Sequence, residues 1–383
     1  MNSLIFSTQD DLHAQAIRWA IRAGGFPCEL IDTALPLHAQ LGNIALFPDD
    51  PDNEPFRRDV TRGSRRISVL NRRFRRHKRM DDVPDMYRGY AQVEALEYEK
   101  NLHWWLDRSE NVYSINPYSR LLEAENKSWQ LYAARRCGLD VPPTLMSASP
   151  ERIRNFLRLH PQVVVKPFQP HTWRDNSEGK LWTAYARAVD SRRLMEASDA
   201  ELAMSPAIYQ PYVPIVADVR VVVIGDTVHA LAMHHREPGD IDFRQIHRDK
   251  LRIEPILPPA DITSSLLRMM GELRLGYCAS DFVIDTEGRW RFLELNPAGS
   301  FLFLEEDCPD MHVLAAMCSL LVCRRVTSDA SLVFPSLAAF YTSSEGRDCL
   351  RTTDSVVAGP GMHPSVTYIN DGRAVAPHPG TEA

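Results

Sequence analysis

The chain has 383 residues, 44% of them hydrophobic and 25% charged, with a formal net charge of -6. This is the balance of an ordinary globular protein with room for two or three domains, and it does not suggest a protein built to coat nucleic acid. The longest apolar stretch, residues 313–323, is short and interrupted by Ser319, so no transmembrane span is expected. The first residues lack a basic segment leading into an apolar run and a cleavage site, and the seven cysteines form no CxxC pair. Reduced thiols in a cytoplasmic protein are the expectation.

Residues 3–7 form a short apolar strand candidate. Residues 11–23 carry helical apolar spacing through Leu12, Ala16, Ile17, Ala20 and Ile21, closed by Gly24-Gly25, and residues 28–31 are a second strand candidate. This βαβ-like start predicts a small open α/β domain. The nucleotide fingerprint GxGxxG is absent, so that domain is not expected to bind nucleotide alone. Residues 57–79 hold eleven Lys and Arg around the strand-like Ile67-Ser68-Val69-Leu70. A solvated face or loop is the plain reading; docking of an anionic partner such as an acidic peptide is the main functional one, with nucleic acid behind it. A long helix follows over 87–106.

Asn116-Pro117 marks a turn, and one helix is expected over 119–137, stopped by Gly138. Further on come a helix over 150–159, a strand over 162–166 ending at Lys166 before Pro167, and a strand pair around the polar loop 170–179. A strand over 207–213 leaves through Pro214, and residues 218–224 and 227–233 form a hairpin about Gly225-Asp226. If that strand persists, His234 and His235 point to opposite faces and suggest no metal pair.

A helix over 262–273 precedes the most informative stretch. Asp285-Thr286-Glu287-Gly288 is a turn between two apolar runs. With Asp285 and Gly288 paired across it, Asp281 faces Phe292 and Ala279 faces Glu294. Strand alternation then projects Asp281, Glu294 and Asn296 from one face, a set of hard oxygen ligands suited to Mg²⁺ carrying a nucleotide phosphate. A helix over 311–322 follows. The stretch 327–383 is read as a partly disordered extension with strand hints at 337–341 and 366–369.

Lys127 on a helix, Lys166 ending a strand, Gln210-Pro211-Tyr212-Val213, the Asp218-x-Arg220 strand and the Asp281/Glu294-x-Asn296 hairpin occur in that order. This order resembles the ATP-grasp superfamily over residues 115–326. The likeness is nearest to the graspetide synthetases, makers of microviridin-type ω-ester and ω-amide peptides. The matching strings are Ser68-Val69-Leu70-Asn71-Arg72-Arg73, Asn126-Lys127-Ser128-Trp129-Gln130-Leu131, Asp218 through Gly225, Asp242-Phe243-Arg244, and Leu293-Glu294-Leu295-Asn296-Pro297-Ala298-Gly299.

The resemblance implies an α+β ATP-grasp fold with an N-terminal α/β pre-ATP-grasp domain (1–115), a central subdomain (116–206), a C-terminal subdomain (207–326) and an extension (327–383). It implies ATP and Mg²⁺, and a precursor peptide with a leader sequence as partner, and it admits a homodimer. Neither nucleic acid nor membrane is expected as a partner. By resemblance, Lys127, Lys166, Gln210, Pro211, Tyr212, Val213 and Asp218 contact the nucleotide. Asp281, Glu294 and Asn296 hold Mg²⁺, and Arg220 and Arg244 steady the transferred phosphoryl group or the substrate carboxylate.

The chain departs from the pattern in two places within this region. Gly179 is the only glycine of the phosphate-covering loop 169–180, and Pro211 stands where the family often has an acidic residue near the ribose. Plain alternatives stand beside these roles: surface lysines for Lys127 and Lys166, and a structural ion pair of Arg220 with Asp218 or Glu294. At the level of function, the alternatives are an amino-acid or protein C-terminal glutamate ligase and a degenerate nucleotide-binding scaffold.

Overall fold

The computed structural model describes residues 2–41, 66–74, 77–168, 171–174, 181–184, 186–235, 251–327, 332–357, 369–370 and 373–374. Alternating apolar strands and a capped helix at the start build a parallel sheet of β1 (Asn2–Ser7), β2 (Cys28–Asp32), β3 (Ile67–Asn71) and β4 (Val112–Ile115), in the order β2-β1-β3-β4. Period-two alternation sends Ile5 and Leu70 toward α1 (Leu12–Ala23). It sends Leu4, Phe6 and Val69 to the other face, with α2 (Leu37–Leu41) and α3 (Asp85–Leu106).

The expected helix over 119–137 is two helices, α4 (Tyr118–Ala124) and α5 (Lys127–Arg136). Asn126 breaks it: its backbone is extended, and its side chain accepts the Trp129 amide at 3.0 Å as an N-cap. Next comes an antiparallel sheet in the order β5-β10-β6-β9, from β5 (Leu145–Ser147), β6 (Gln162–Lys166), β9 (Arg187–Asp190) and β10 (Ala207–Pro211). The separate ribbon of β7 (His171–Arg174) and β8 (Leu181–Ala184) is a strand pair, as expected, but its first strand lies within 170–179, where a loop is expected. Helices α6 (Pro150–Leu159), α7 (Ser191–Met195) and α8 (Asp199–Ala203) accompany this sheet, and its core holds Ile153, Leu157, Val163, Leu202 and Tyr209.

The third sheet is antiparallel, in the order β13-β12-β11-β14-β15, from β11 (Ile215–Ile224), β12 (Thr227–His235), β13 (Leu251–Pro255), β14 (Tyr277–Asp285) and β15 (Trp290–Asn296). One face, through Val219, Val221, Val223, Cys278 and Phe282, packs with apolar residues of α5 and α9 (Ala260–Leu273). The other face is apolar at one end, where Val222, Ile224, Tyr277 and Ala279 join α1 and α11 (Val313–Cys323) in a single core. At its other end the same face carries Asp218, Arg220 and Asp281.

Between β15 and α11 lies α10 (Phe303–Asp307), whose Glu305 accepts the amides of Leu314 and Leu337. Leu337 opens α12 (Leu337–Thr342), which is followed by α13 (Ser344–Val357). The strand expected at 337–341 is therefore a helix, started by the Ser336 side chain, and Leu337 and Phe340 are buried in the core shared with α1. Of the strand expected at 366–369, Ile369 pairs in a two-residue hairpin, β16 (Ile369–Asn370) with β17 (Arg373–Ala374), and 366–368 lie outside the described residues. No helix among the described residues is long and apolar enough to cross a membrane.

Candidate active site

The β14–β15 hairpin forms, but not in the register that a pairing of Asp285 with Gly288 predicts. The Asp285 amide bonds to the Arg289 carbonyl at 3.0 Å, one residue further on, and a bulge follows between Asp281 and Phe282. Phe282 pairs with Phe292, Asp281 with Glu294, and Ala279 with Asn296. One extra residue on β15 swings Phe292 to the apolar face beneath, while Glu294 lands directly opposite Asp281. The three oxygen-bearing side chains do share a face, although Phe292 does not share it with them. The Asn296 amide nitrogen lies 3.2 Å from Glu294 Oε1 and 3.4 Å from Asp281 Oδ2.

Among the described residues, Lys127, Lys166 and Arg220 converge on these carboxylates. Lys127 is the first residue of α5, and its Nζ donates to Glu294 Oε2 at 2.6 Å. One turn later on the same helix, the buried Gln130 side chain donates to the Leu295 carbonyl at 2.6 Å and accepts the Leu295 amide at 3.1 Å. This stitch sets Lys127 against β15; the sequence shows Gln130 only as part of a string, with no role attached to it. Lys166 ends β6, half-buried. Desolvation draws its ammonium below the ordinary lysine range, Lys127 adds to that, and Glu294 and Asp281 oppose it. Burial also opposes ionisation of Glu294, but Lys127, Asn296 and Lys166 outweigh it and hold that carboxyl well below the usual range.

Arg220 is buried on β11. Its Nη1 donates to Asp281 Oδ1 at 2.5 Å and its Nη2 to the Ser300 carbonyl at 3.0 Å. Burial works against its charge and Asp281 outweighs it, so its pKa is raised. Among the described residues its salt bridge is to Asp281, whereas the sequence suggests Asp218 or Glu294. Its Nε is buried and has no hydrogen-bond partner among the described residues. Asp218 lies on the same strand face, two residues before Arg220, and is buried. Arg244, with Asp242 and most of the loop 169–180, lies outside the described residues.

Beside this charged cluster, a pocket with about 620 Å³ of empty space opens between the central sheet and the third sheet. Gln210, Pro211, Tyr212 and Val213 all line it, with Lys166 at the polar end. Val164 and Ala186 line it on one side, and Ile215, Val283 and Leu293, the extra residue of the bulge, on the other. The Gln210 side chain is turned to Thr144 Oγ1 at 2.9 Å, so this segment offers backbone rather than that amide. An apolar slot with backbone along one edge suits a flat heteroaromatic ring, and the lysine end suits phosphate.

Among the described residues, no group of three or more His, Cys, Asp and Glu could hold a metal by protein ligands alone. Two carboxylates and an amide fit the opposite arrangement, in which Mg²⁺ keeps water and ligand phosphate oxygens in much of its shell. The orphaned Arg220 Nε is a further donor for an anionic oxygen. Of the described residues of the basic run, Arg72 is buried against Asp11 at 2.9 Å, and Lys78 is buried, pairs with Glu99 and donates to the Thr33 carbonyl; residues 57–65, 75 and 76 lie outside the described residues.

No protein-family model and no curated protein matches the chain. Solved structures match most of it. The macrocyclase MdnC from Microcystis aeruginosa MRC, bound with precursor peptide MdnA, is 21% identical, with a TM-score of 0.67 over 84% of this chain and 100% of its own. A RiPP-associated ATP-grasp ligase from Chryseobacterium gregarium, in complex with ADP and a leader and core peptide, is 20% identical, with a TM-score of 0.68 over 87% of this chain and 100% of its own. The ATP-grasp ligase PsnB, complexed with minimal precursor, Mg and ADP, is 23% identical, with a TM-score of 0.64 over 84% of this chain and 96% of its own. The fold of this chain is therefore that of the ATP-grasp ligases. These three similar structures are of ligases seen with precursor peptides, the kind of enzyme that the sequence resemblance names.

Proposed function

We propose that the chain is an ATP- and Mg²⁺-dependent ligase of the cytoplasm that closes esters or amides within a ribosomally made precursor peptide. It activates Asp or Glu side-chain carboxylates and joins them to Ser or Thr hydroxyls or Lys amines. The observation that carries this reading is the apolar slot at 210–213 running into the Lys166, Lys127, Glu294, Asp281 and Arg220 cluster. Adenine takes the slot, which leaves the triphosphate pointing at alternating cations and carboxylates. The γ-phosphoryl group passes to a carboxylate oxygen, giving an acyl phosphate and ADP. A hydroxyl or amine then attacks the acyl carbon, losing its proton as phosphate leaves, so each linkage removes one water from the peptide.

Both steps build negative charge on phosphoryl oxygens, so catalysis rests on positioned cations. Lys127 and Lys166 hold phosphate oxygens, while Asp281, Glu294 and Asn296 hold Mg²⁺, which neutralises the phosphates when bound. Arg220, its Nε unpaired, faces the transferred group or the acceptor carboxylate; Arg244 and Asp218 are assigned as its companions. The peptide substrate is supported by the peptide-bound complexes among the similar structures. The division at 115, 206 and 326 belongs to the same proposal; the separate core of the central sheet supports it.

The test is incubation with ATP, Mg²⁺ and the peptide encoded beside this gene, read by mass. Loss of one water per linkage, abolished in Glu294→Ala and retained in the exposed variant Arg351→Ala, is expected. ADP release with free amino acids and an unchanged peptide mass would transfer the assignment to an amino-acid ligase.

A further inference from the structure

We infer that Arg72, from the N-terminal sheet, is a positioning residue for the metal-binding end of β15, acting through the backbone of the loop 297–301. The inference rests on the ligase reading above. Arg72 follows β3, and its guanidinium is spread over two tasks. Nε donates to Asp11 Oδ2 at 2.9 Å, while Nη1 donates to the Gly299 carbonyl at 3.0 Å. Asp11 is itself fixed by Ser7 Oγ at 2.6 Å. The anchor beneath Arg72 is thus a buried carboxylate at the N-terminus of α1, from which Arg72 reaches the loop that leaves Asn296.

That loop has little slack. Tyr277 Oη donates to the same Gly299 carbonyl at 2.7 Å, and Asn116 Nδ2 donates to the Pro297 carbonyl at 2.7 Å. Arg220 holds the next carbonyl, Ser300, and His13 Nε2 accepts the Phe301 and Leu302 amides at 3.0 and 3.2 Å. Gly299 has no room for a side chain: a Cβ there would stand 2.8 Å from Ala279 Cβ, 2.9 Å from Arg220 Nη2 and 3.0 Å from Asn296 Cβ. The Gly299 carbonyl held by Arg72 therefore belongs to a residue wedged between Arg220 and Asn296. Movement of this loop displaces both, so the N-terminal sheet sets the geometry of a site to which it contributes no ligand.

Arg72→Lys keeps a cation beside Asp11 but lacks the fork that serves both partners. Arg72→Met combined with Asp11→Asn removes the pair without leaving a lone buried charge. In each, the Mg²⁺ concentration that half-maximally tightens ADP binding, read by calorimetry, should rise about tenfold, the scale of losing a residue that orients a metal ligand. ADP binding in EDTA, which uses the distant slot, should match wild type. In nucleotide-free protein, the Phe301 and Leu302 amides should exchange faster with deuterium. Unchanged Mg²⁺ dependence overturns the inference, and so does changed Mg²⁺ dependence with unchanged exchange at those amides. Wild-type protein whose ADP binding ignores Mg²⁺ would instead sink the ligase reading itself.

Discussion

His103 is fully buried beneath the N-terminal sheet, stacked on Tyr118 at 4.6 Å and edge-on to Phe6 and Phe74 at 4.7 and 4.8 Å. Neither ring nitrogen has a partner among the described residues. Burial, with Lys78 adding to it, pushes its pKa down to about 3. Unfolded, the imidazole titrates near its ordinary value of about 6.5. Between these values the unfolded chain binds a proton that the folded one refuses, so stability falls by about 1.4 kcal/mol per pH unit on acidification through that window. His103→Phe should abolish this slope, leaving the variant more stable than wild type at pH 5 by about 2 kcal/mol. Urea midpoints at pH 5 and 7 test it; parallel pH dependences for the two proteins would refute it. Asp11 acts at lower pH. Its carboxyl, held far below the usual range by Arg72 against the opposing effect of burial, stabilises the fold above about pH 4, and that contribution is lost as pH falls further.

At the scale of elements, the α4–α5 break decides where Lys127 stands. Asn126→Ala removes the cap and should destabilise the protein by about 1 kcal/mol, whereas Asn126→Asp, an equally good cap, should not. Because Lys127 is the next residue, the alanine variant should also weaken ADP binding; thermal melts and calorimetry on both variants check this, and equal stability of the two would rule the cap out. The break is not legible in the pattern, since Leu121, Ala124, Ala133 and Ala134 are apolar across it and Asn126 passes for a surface position. The bulge at Leu293 is equally silent, because a single inserted residue leaves the composition of β15 unchanged. What the sequence does carry is alternation: Tyr277, Ala279 and Asp281 against Cys278, Ser280 and Phe282 is readable residue by residue. Alternation is therefore enough to bring Asp281, Glu294 and Asn296 to one face, but not to pair them. The five residues from Leu337 are too few for any period to decide, and their helix is signalled by Ser336 alone. Arg72 looks like one charge in a basic run, since its buried partner Asp11 lies 61 residues away.

For the whole molecule, the cores define what can move. The N-terminal sheet and the third sheet share one core, in which Ile5, Ile17 and Leu70 join Val222, Tyr277, Val313 and Phe340. The central sheet has a core of its own, and the pocket at 210–213 lies along the seam between it and the third sheet. A nucleotide in that seam touches two bodies that otherwise have separate interiors, so binding should stabilise the central sheet most. At a hundred times its Kd, Mg-ADP contributes about 2.7 kcal/mol. Spread over 383 residues, an unfolding entropy of about 2.1 cal/mol/K per residue converts this to a rise in Tm of about 3 °C. Amide exchange should slow at β6 and β10, which border the slot, and stay unchanged at α1 and α11, which already share a core with the sheet behind the site. Protection confined to α1 and α11 would place the nucleotide elsewhere, and no rise in Tm at saturating Mg-ADP would mean that the folded protein does not bind it.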